Sequence, residues 1–307
     1  MAVDDVSLAL APHSTIGIVG ESGSGKSTLA KCLVRLIEPD RGAVRFGNCD
    51  VLAARGEDLA AVRRAMQLIY QDPYSSLNPL MSVGRAVSEP ARVHGLIPPN
   101  QTADAYTTEM LEMVGLNREF AGRRPSQLSG GQRQRVAIAR AMAVQPQVLI
   151  ADEPVSALDV SVQAQVLNLF EKLRAEQGLA VIFIAHQLNV VAHVADVVMV
   201  MYLGRIVESG PAKRVFSNPG HPYTAALLKS QPGRRRERRR PALQGEIPSA
   251  MDVPSGCRFR TRCPMAQEIC TEIDPEPADF GGGHRAWCHF ADQVGEGIGG
   301  RSMEHAG

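Results

Sequence analysis

The sequence predicts an α/β fold in which a mainly parallel sheet alternates with helices. Two continuous apolar runs, residues 148–151 and 180–185, have the composition of strands that are buried on both faces. Each is followed by a segment with helical periodicity, and strands that alternate with helices favour parallel pairing. A glycine-rich loop at residues 20–28 also joins a strand to a helix. Because parallel sheets bind ligands at the carboxyl ends of their strands, we expect a ligand site at that edge.

The glycine-rich loop predicts a phosphate-binding site. It reads Gly, four residues, Gly-Lys-Ser, after the apolar run 15–19 and before a helical pattern. Glycines let backbone amides converge on phosphate oxygens, while Lys26 would reach the β- and γ-phosphates and Ser27 would offer its hydroxyl to Mg²⁺. A glycine-rich turn without a ligand is the alternative. The predicted ATP-binding residues are Gly20, Glu21, Ser22, Gly23, Ser24, Gly25, Lys26, Ser27 and Thr28.

Composition indicates a folded globular chain. The 307 residues are 44% apolar, and 33 Lys and Arg against 32 Asp and Glu give a formal charge of +1. This balance provides no global attraction to nucleic acid, so no nucleic-acid partner is expected. The longest apolar runs, near residues 180–185 and 197–203, are far shorter than the roughly 18 residues that span a bilayer. Residues 1–10 lack the basic start of a secretory signal, so we expect a cytosolic chain.

Several short strands are predicted around the loop. Residues 6–10 alternate apolar and small side chains, and residues 43–46 and 68–70 have strand composition, the last run ending before Gln71. Residues 197–201 and 205–208 resemble a hairpin joined through Leu203-Gly204. From residue 72 to 127, frequent prolines and few strand patterns indicate a mostly helical insertion. We place a helical subdomain at about 76–144.

Polar residues follow the two buried runs. Asp152 and Glu153 come directly after the first run, and His186 comes directly after the second. Between them, Asp159 precedes a helical pattern that Gly178 ends. Since carboxyl ends of parallel strands share one edge, these side chains are predicted to lie on the ligand side.

The composition changes after Pro211. We place one domain at residues 1–215 and a C-terminal extension at 216–307, with a linker at about 231–240. Residues 234–240 of that linker carry a net charge of +5, which usually indicates a solvated segment, with anionic lipid or nucleic acid as the alternative contact. The extension is small, irregular and rich in cysteine.

The series of motifs resembles the ATP-binding cassette (ABC) family of transporter ATPase subunits. The resemblance covers residues 6 to about 211 and implies a P-loop nucleotide hydrolase (RecA-like) core. In family order, the motifs are the phosphate loop, Gln71, the signature Leu128-Ser129-Gly130-Gly131-Gln132, the Asp152-Glu153 pair, residues 156–159 and His186. Residues 71–79, 220–228, 245–249 and 256–264 further resemble the oligopeptide and dipeptide importer branch, which includes nickel importers.

The resemblance implies a role for each polar residue. Asp152 would hold Mg²⁺ through water, together with Ser27 and Gln71, and Glu153 would polarise the water that attacks the γ-phosphate. Gln71 would sense both the metal and the water. His186 would stabilise charge on the γ-phosphate. The expected reaction converts ATP and water to ADP and phosphate.

The resemblance also implies partners. Leu128, Ser129, Gly130, Gly131 and Gln132 would open a helix that acts in trans on ATP held by a second ABC subunit, either the same chain or a paralogue. Asp159 would then lie at the dimer interface. Two transmembrane permease subunits and an extracytoplasmic substrate-binding protein complete the expected importer, with this chain peripheral on the cytoplasmic face of the membrane.

Four tail cysteines predict a bound metal. Cys257, Cys263, Cys270 and Cys288 are separated by five, six and seventeen residues, which are not the short paired spacings of a zinc ribbon. We expect a [4Fe–4S] cluster, which tolerates irregular loops, ahead of zinc or of free or paired thiols.

Two positions depart from the family pattern. No aromatic residue precedes Val6, where members place the side chain that stacks on adenine, and Gln187 follows His186 where the family favours Asp. An earlier chain start, a contact supplied by a partner, or weaker nucleotide binding are the alternatives for the first.

We therefore expect an ATPase that energises uptake of oligopeptides or dipeptides. A nickel or other small-solute importer is the alternative. Alternatives of another class are a soluble ABC ATPase acting on DNA or ribosomes, and a redox-sensing regulator that uses the cysteine tail.

Overall fold

The protein is described from a computed structural model, whose described residues are 2–72, 76–230, 248 and 253–294. The predicted linker at 231–240, with its arginine run, lies outside these residues. The strands are β1 (Thr15–Val19), β2 (Arg45–Phe46), β3 (Cys49–Asp50), β4 (Met66–Ile69), β5 (Val148–Asp152), β6 (Ala180–Ala185), β7 (Val197–Tyr202), β8 (Arg205–Pro211), β9 (Pro277–Asp279) and β10 (Arg285–Trp287).

Helices cover much of the remaining described chain. The α-helices are α1 (Lys26–Leu33), α2 (Gly56–Ala65), α3 (Val83–Val93), α4 (Ala103–Met113), α5 (Gly130–Met142), α6 (Val160–Gln177), α7 (Leu188–Val194), α8 (Ala212–Ser217), α9 (Pro222–Lys229) and α10 (Ile269–Glu272). Short 3₁₀ turns lie at Arg118–Gly122, Pro125–Gln127 and Ala291–Gln293. Within the described residues, none of these helices combines the length and apolar character needed to cross a membrane.

The chain forms two compact units. The central unit contains Leu10–Thr15 and Ser27–Ile184, and the terminal unit contains Met1–Ala9, Ile16–Lys26 and Ala185–Gly307. The predicted domain boundaries, at residue 215 and at 76–144, stay predictions.

The central unit is built on parallel strands. β4 pairs with β5 and β5 with β6, all in parallel, and every residue of β5 and β6 is buried. Their continuous apolar sequences follow from this burial on both faces. On α6, Phe170 packs edge-on against Phe183 of β6, with ring centroids 5.3 Å apart. The predicted α/β class is confirmed, and Asp152 lies at the carboxyl end of a buried parallel strand.

The predicted insertion is helical. α3, α4 and α5 pack against one another in the central unit. The buried Tyr106 hydroxyl on α4 donates a hydrogen bond to the carbonyl of Ala143, just after α5, at 2.7 Å. This bond satisfies a phenol that would otherwise be buried without a partner, so it helps to fix α4 against α5.

The terminal unit combines the phosphate-loop strand with the C-terminal tail. β1 runs parallel to β7, and β7 forms the predicted hairpin with β8. The tail then adds β10 against β8 and β9 against β10, both antiparallel. Strands of three residues carry no readable periodicity, which is why the sequence did not predict β9 and β10.

One predicted strand is wrong. Residues 6–10 are not a strand in the structure, although their side chains alternate in exposure. Alternation shows that one face is partly covered, but a strand also needs a hydrogen-bonded partner, which the sequence pattern does not reveal.

A buried carboxylate ties the tail to β8. Glu208 is fully buried and accepts hydrogen bonds from the amides of Gly220 and His221, at 2.7 and 3.0 Å. Its Oε1 also lies 2.8 Å from Nε2 of the buried His284. Three partners compensate for the loss of water around the carboxylate, so this residue anchors both the turn before α9 and the tail.

The neighbouring His221 is held neutral. Its Nδ1 accepts a hydrogen bond from the Tyr223 amide at 3.1 Å, and burial lowers its pKa to about 3. Because this pKa lies below the ordinary value of 6.5, the unfolded chain binds a proton that the folded chain does not when the pH falls below about 6.5. The His221 contribution to stability is therefore unaffected above that pH and decreases on acidification.

We predict that His221→Asn flattens the loss of stability in acid. An Asn oxygen can still accept the Tyr223 amide bond, but it does not titrate. Between pH 6.5 and 5, the wild type should lose up to about 2 kcal/mol more than the variant, from about 1.4 kcal/mol per pH unit for one proton. Urea unfolding followed by Trp287, the one tryptophan of the chain, measures this. Equal losses in the two proteins would contradict the prediction.

Candidate active site

The glycine-rich loop follows β1 in the terminal unit. Gly23 and Gly25 have φ values of 79° and 106°, in the left-handed region that favours glycine. A Cβ on Gly20 would lie 2.1 Å from the carbonyl oxygen of Met201, and one on Gly25 would lie 2.1 Å from that of Ala2. Both approaches are too close for any side chain. Glycine is thus required by backbone conformation at Gly25 and by close packing at both Gly20 and Gly25.

The loop holds the Lys26 ammonium from several sides. Lys26 is only 4% exposed, and its Nζ donates hydrogen bonds to the carbonyls of Gly20 and Glu21, at 2.8 and 2.9 Å. The Ser24 hydroxyl lies 3.4 Å away. A buried ammonium needs such acceptors because burial removes its water. The positive charge predicted to meet phosphate is therefore fixed within the loop.

Two oxygens suited to Mg²⁺ lie together in the central unit. Ser27 Oγ donates a hydrogen bond to Asp152 Oδ1 at 3.0 Å. Asp152 is buried at the end of β5, whereas Ser27 lies at the start of α1. Hydroxyl and carboxylate oxygens are hard ligands of the kind that Mg²⁺ prefers, so these two could hold the ion, directly or through water.

Glu153 and Gln71 form a second pair in the same unit. Gln71 Nε2 donates a hydrogen bond to Glu153 Oε2 at 3.0 Å, which joins the segment after β4 to the segment after β5. Glu153 has a φ of 47°, which is unusual for a residue with a side chain. Its amide donates to the Ile184 carbonyl at 3.0 Å, and its carbonyl accepts from Ser156 Oγ at 3.0 Å. The surrounding bonds thus fix the left-handed backbone that directs this carboxylate.

The predicted His186 follows the end of β6 and belongs to the terminal unit. It is exposed, and its Nε2 lies 3.2 Å from Nε2 of Gln187. One of the two nitrogens must donate, so the amide of Gln187 bonds the His186 tautomer whose Nε2 is an acceptor. Gln187, which departs from the family pattern, therefore contacts His186 directly.

The signature forms the capped start of α5. Ser129 Oγ accepts from the Gln132 amide at 3.3 Å, and Gln132 Oε1 accepts from the Ser129 amide at 2.9 Å, a reciprocal capping box. A Cβ on Gly131 would lie 2.4 Å from Val162 Cγ1. Glycine therefore permits α5 to approach the first turn of α6, which follows Asp159. Gly130 lies on the same side, 3.3 Å from a Leu158 methyl by the same measure, and Leu128 is buried.

The four tail cysteines do not form a metal site in this structure. Cys257, Cys263, Cys270 and Cys288 are all free thiols, and among the described residues no group of three or more His, Cys, Asp or Glu could hold a metal ion. Burial raises the pKa of Cys263 to about 12 and that of Cys288 to about 11. As placed, the four side chains do not come together as a ligand set, so they do not fit a [4Fe–4S] cluster or zinc.

Two residues that follow β8 in the chain contact the phosphate loop, and the sequence did not predict either contact. Arg262 donates two hydrogen bonds to the Glu21 carboxylate, at 2.6 and 3.0 Å. The Tyr223 hydroxyl accepts from the Glu21 amide at 2.8 Å. Both residues lie in segments that the sequence analysis singled out only as branch motifs. A carboxylate inside a phosphate loop was the available signal, because such a group needs a cation beside it.

Family comparison agrees with the geometry. The family model "ABC transporter" matches residues 3–156, and the model "Oligopeptide/dipeptide transporter, C-terminal region" matches residues 207–270. The second match contains Tyr223 and Arg262.

Curated relatives match almost the whole chain. A probable peptide ABC transporter ATP-binding protein of Sinorhizobium fredii is 48% identical over 290 residues, which are 94% of this chain and 82% of the relative. The oligopeptide transport ATP-binding protein AppF of Bacillus subtilis is 46% identical over 294 residues, covering 94% of this chain and 89% of AppF.

Solved structures confirm the predicted fold. The ATP-binding cassette MJ0796, solved as a dimer in a post-hydrolysis state with ADP and phosphate, matches with a TM-score of 0.62 and 30% identity. The match covers 69% of this chain and 90% of MJ0796. A loop that fixes a lysine, a Ser27–Asp152 pair, a Gln71–Glu153 pair and a capped signature helix occur together in a chain with these relatives. The chain belongs to the ABC transporter ATPase family.

Proposed function

We propose that this chain is the ATP-hydrolysing subunit of an importer for oligopeptides or dipeptides. The observation that carries the proposal is the central unit, where Asp152 and Glu153, at the end of β5, are bonded to Ser27 of α1 and to Gln71 after β4. These pairs supply a metal-holding group and a positioned base for phosphoryl transfer. Relatives described as peptide or oligopeptide transport proteins, matched over most of their length, support peptides as the cargo.

The proposed chemistry assigns one task to each residue. When bound, Mg²⁺ neutralises charge on the phosphates, and Ser27, Asp152 and Gln71 would hold it. Glu153 accepts the proton of the attacking water, whose oxygen bonds to the γ-phosphorus while the bond from that phosphorus to the bridging oxygen breaks. ADP and phosphate are the products. Gln71 keeps the Glu153 carboxylate in place, which is the positioning that general-base catalysis requires.

The phosphate loop and His186 take the remaining roles in the proposed reaction. Lys26 balances negative charge on the β- and γ-phosphates, and the remaining loop residues, 20 to 25 with Ser27 and Thr28, surround these phosphates. His186 donates to the γ-phosphate and stabilises charge that builds up as the bond breaks. Its hydrogen bond with Gln187 orients the ring for this task.

A second ABC subunit is the proposed partner across the nucleotide. The N-terminus of α5, capped by Ser129 and opened by Gly130 and Gly131, is the positive end of the helix dipole and favours an anion. The phosphate loop of this chain binds one ATP, so the N-terminus of α5 contacts the ATP that is bound to the other subunit. Asp159 lies at the interface between the two subunits. The likeness to a dimeric cassette supports the arrangement.

The proposed assembly places the chain at a membrane. Two permease subunits would provide the transmembrane path, a binding protein would select the cargo, and this chain would sit on the cytoplasmic face of the membrane. Residues 1–215 would form the ATPase domain, with the helical subdomain at 76–144 facing the permeases, and residues 216–307 the extension. The alternative cargo is nickel or another small solute.

Glu153→Gln should bind ATP normally but lose at least about 100-fold in ATPase rate, since an amide cannot accept the proton of water. Cells whose only copy carries this substitution should also lose uptake of a radiolabelled tripeptide. Uptake of radioactive nickel, measured in the same cells, tests the alternative cargo.

The matched control is Glu176→Gln, which removes a carboxylate from the exposed surface of α6. It should leave both ATPase rate and uptake at wild-type levels. Normal hydrolysis by the Glu153 variant would remove Glu153 as the base. Loss of nickel uptake with unchanged tripeptide uptake would exclude peptides as the cargo.

ATP should drive association of the hydrolysis-blocked protein. Size-exclusion chromatography of Glu153→Gln with Mg-ATP should show a dimer, and adding Ser129→Arg should prevent it because a long side chain blocks the signature helix. Glu112→Arg, on the exposed side of α4, is the control and should leave the dimer intact. A dimer that survives Ser129→Arg would contradict the proposed contact in trans.

We also propose that the tail cysteines hold a [4Fe–4S] cluster in the assembled importer, although their placement here does not fit one. Support comes from a backbone contact between two of them, in which the Cys257 amide donates a hydrogen bond to the Cys270 carbonyl at 2.9 Å. Protein purified without oxygen should contain about four iron and four sulfide per chain. Cys263→Ser should lower that content, whereas Cys49→Ser should not. Iron-free wild-type protein would refute the cluster.

A further inference from the structure

Glu21 creates an electrostatic problem inside the phosphate loop. It places a carboxylate next to a site that binds a polyanion, and like charges at short range repel strongly where water is partly excluded. A loop that binds ATP tightly therefore needs a compensating positive charge on this carboxylate. The compensating group lies in the C-terminal tail, 241 positions along the chain.

Arg262 meets Glu21 in a bidentate pair. Nη1 contacts Oε2 at 2.6 Å and Nη2 contacts Oε1 at 3.0 Å. The Arg262 side chain is 4% exposed and that of Glu21 is 24% exposed, so the pair is largely shielded from solvent. Parallel bonds of this kind fix direction as well as charge. The hydrogen bond to Glu21 is the first cause that raises the pKa of Arg262, which keeps the guanidinium charged.

Tyr223 holds the backbone of the same residue. Its hydroxyl accepts from the Glu21 amide at 2.8 Å, and its ring is fully buried. Tyr223 packs against Tyr202 and Phe259, with ring centroids 4.8 and 5.4 Å away, and Phe259 belongs to the tail. This packing leaves the hydroxyl little freedom, so the position of the Glu21 amide is set by the aromatic cluster of Tyr202, Tyr223 and Phe259.

Glu21 passes these constraints to Lys26. Its carbonyl accepts a hydrogen bond from Lys26 Nζ at 2.9 Å, while Arg262 binds its carboxylate and Tyr223 binds its amide. All three polar groups of Glu21 are thus engaged within the terminal unit, and two of the partners follow β8. Arg262 and Tyr223 therefore hold Glu21 in place, and Glu21 in turn helps to hold the Lys26 ammonium.

We propose that Arg262 and Tyr223 are positioning residues for ATP binding, and that the C-terminal extension is a functional part of the nucleotide site. Arg262 neutralises Glu21 and Tyr223 holds its backbone, so that the loop presents its amides and Lys26 to the phosphates without a repelling carboxylate. This role concerns nucleotide affinity alone and does not depend on which cargo is transported.

A purely structural role makes a different prediction. If the pair only anchored the tail, removing Glu21 as well as Arg262 would not improve on removing Arg262 alone. If Arg262 neutralises Glu21, then changing Glu21 to an uncharged residue removes the repulsion and restores affinity. The double substitution therefore separates the two roles.

The test measures Mg-ADP binding by isothermal titration calorimetry on the full chain. Arg262→Met, which keeps volume and removes charge, should weaken binding about 10-fold or more, because a charge-assisted pair is lost and Glu21 is left uncompensated. In steady-state ATPase assays, KM should rise by a similar factor while kcat changes less than about 3-fold. Adding Glu21→Gln to Arg262→Met should return binding to within about 3-fold of wild type. Tyr223→Phe should weaken binding less than Arg262→Met.

Arg260→Met is the matched control. This arginine is two residues away, is partly exposed, and directs its Nε to the Ser255 carbonyl at 3.0 Å. It should bind Mg-ADP as wild type does. Fluorescence of Trp287 in β10 reports whether the tail stays folded in each variant. Should Arg262→Met unfold the tail, Arg262→Lys keeps the charge and replaces it in the comparison, with binding expected within about 3-fold of wild type.

Three results would overturn the proposal. One is Arg262→Met with wild-type affinity. Another is a folded double variant that binds no better than Arg262→Met alone. The third is a folded Arg262→Lys that binds more than about 10-fold weaker than wild type. None of these results bears on peptide or nickel uptake, so failure here is distinguishable from failure of the proposed transport function.

Discussion

The buried ammonium of Lys26 is the constraint on which the rest of the structure depends. A charge that is 4% exposed must have acceptors around it, and the loop supplies the carbonyls of Gly20 and Glu21 at fixed distances. Glycine is needed at Gly20 and Gly25 for a different reason, because any side chain there would meet the backbone oxygens of Met201 and Ala2. The buried ammonium explains why Glu21, which provides the second carbonyl, must itself be held in place.

Backbone strain and hydrogen bonding serve the reacting groups in a similar way. Glu153 keeps a left-handed conformation, which costs about 1 kcal/mol or more, because bonds to Ile184 and Ser156 and the side-chain bond from Gln71 hold it. A carboxylate fixed in this way would lose little entropy in the proposed role of base. The strain belongs to the residue that the proposed chemistry uses most directly.

Sheet pairing and charged contacts join the C-terminal extension to the β7–β8 hairpin and to the phosphate loop. β10 extends the β7–β8 hairpin, Glu208 binds the turn before α9 and His284, and Arg262 binds Glu21. Loss of the buried Glu208 bonds would therefore disturb the same region that holds the loop. A segment that the sequence predicts to be a separate extension therefore contacts the phosphate loop directly.

The sequence by itself determined the fold class and the motif series. Buried parallel strands have continuous apolar sequences, and the rule that ligands bind at the carboxyl ends of such strands predicted roles for the loop, Asp152, Glu153 and His186. Local patterns also predicted the β7–β8 hairpin and the helical insertion, since their signals lie within a few residues of each other.

Only the tertiary structure decided which residues contact across long separations. The partners of Glu21, the absence of a strand at residues 6–10, the short strands of the tail and the placement of the four tail thiols all depend on contacts between distant segments. Such contacts leave no periodicity in the sequence, because a single side chain reaching across 241 positions has no repeat to be read. Spacing could therefore predict the phosphate loop, but packing alone decided that Arg262 pairs with the carboxylate of Glu21.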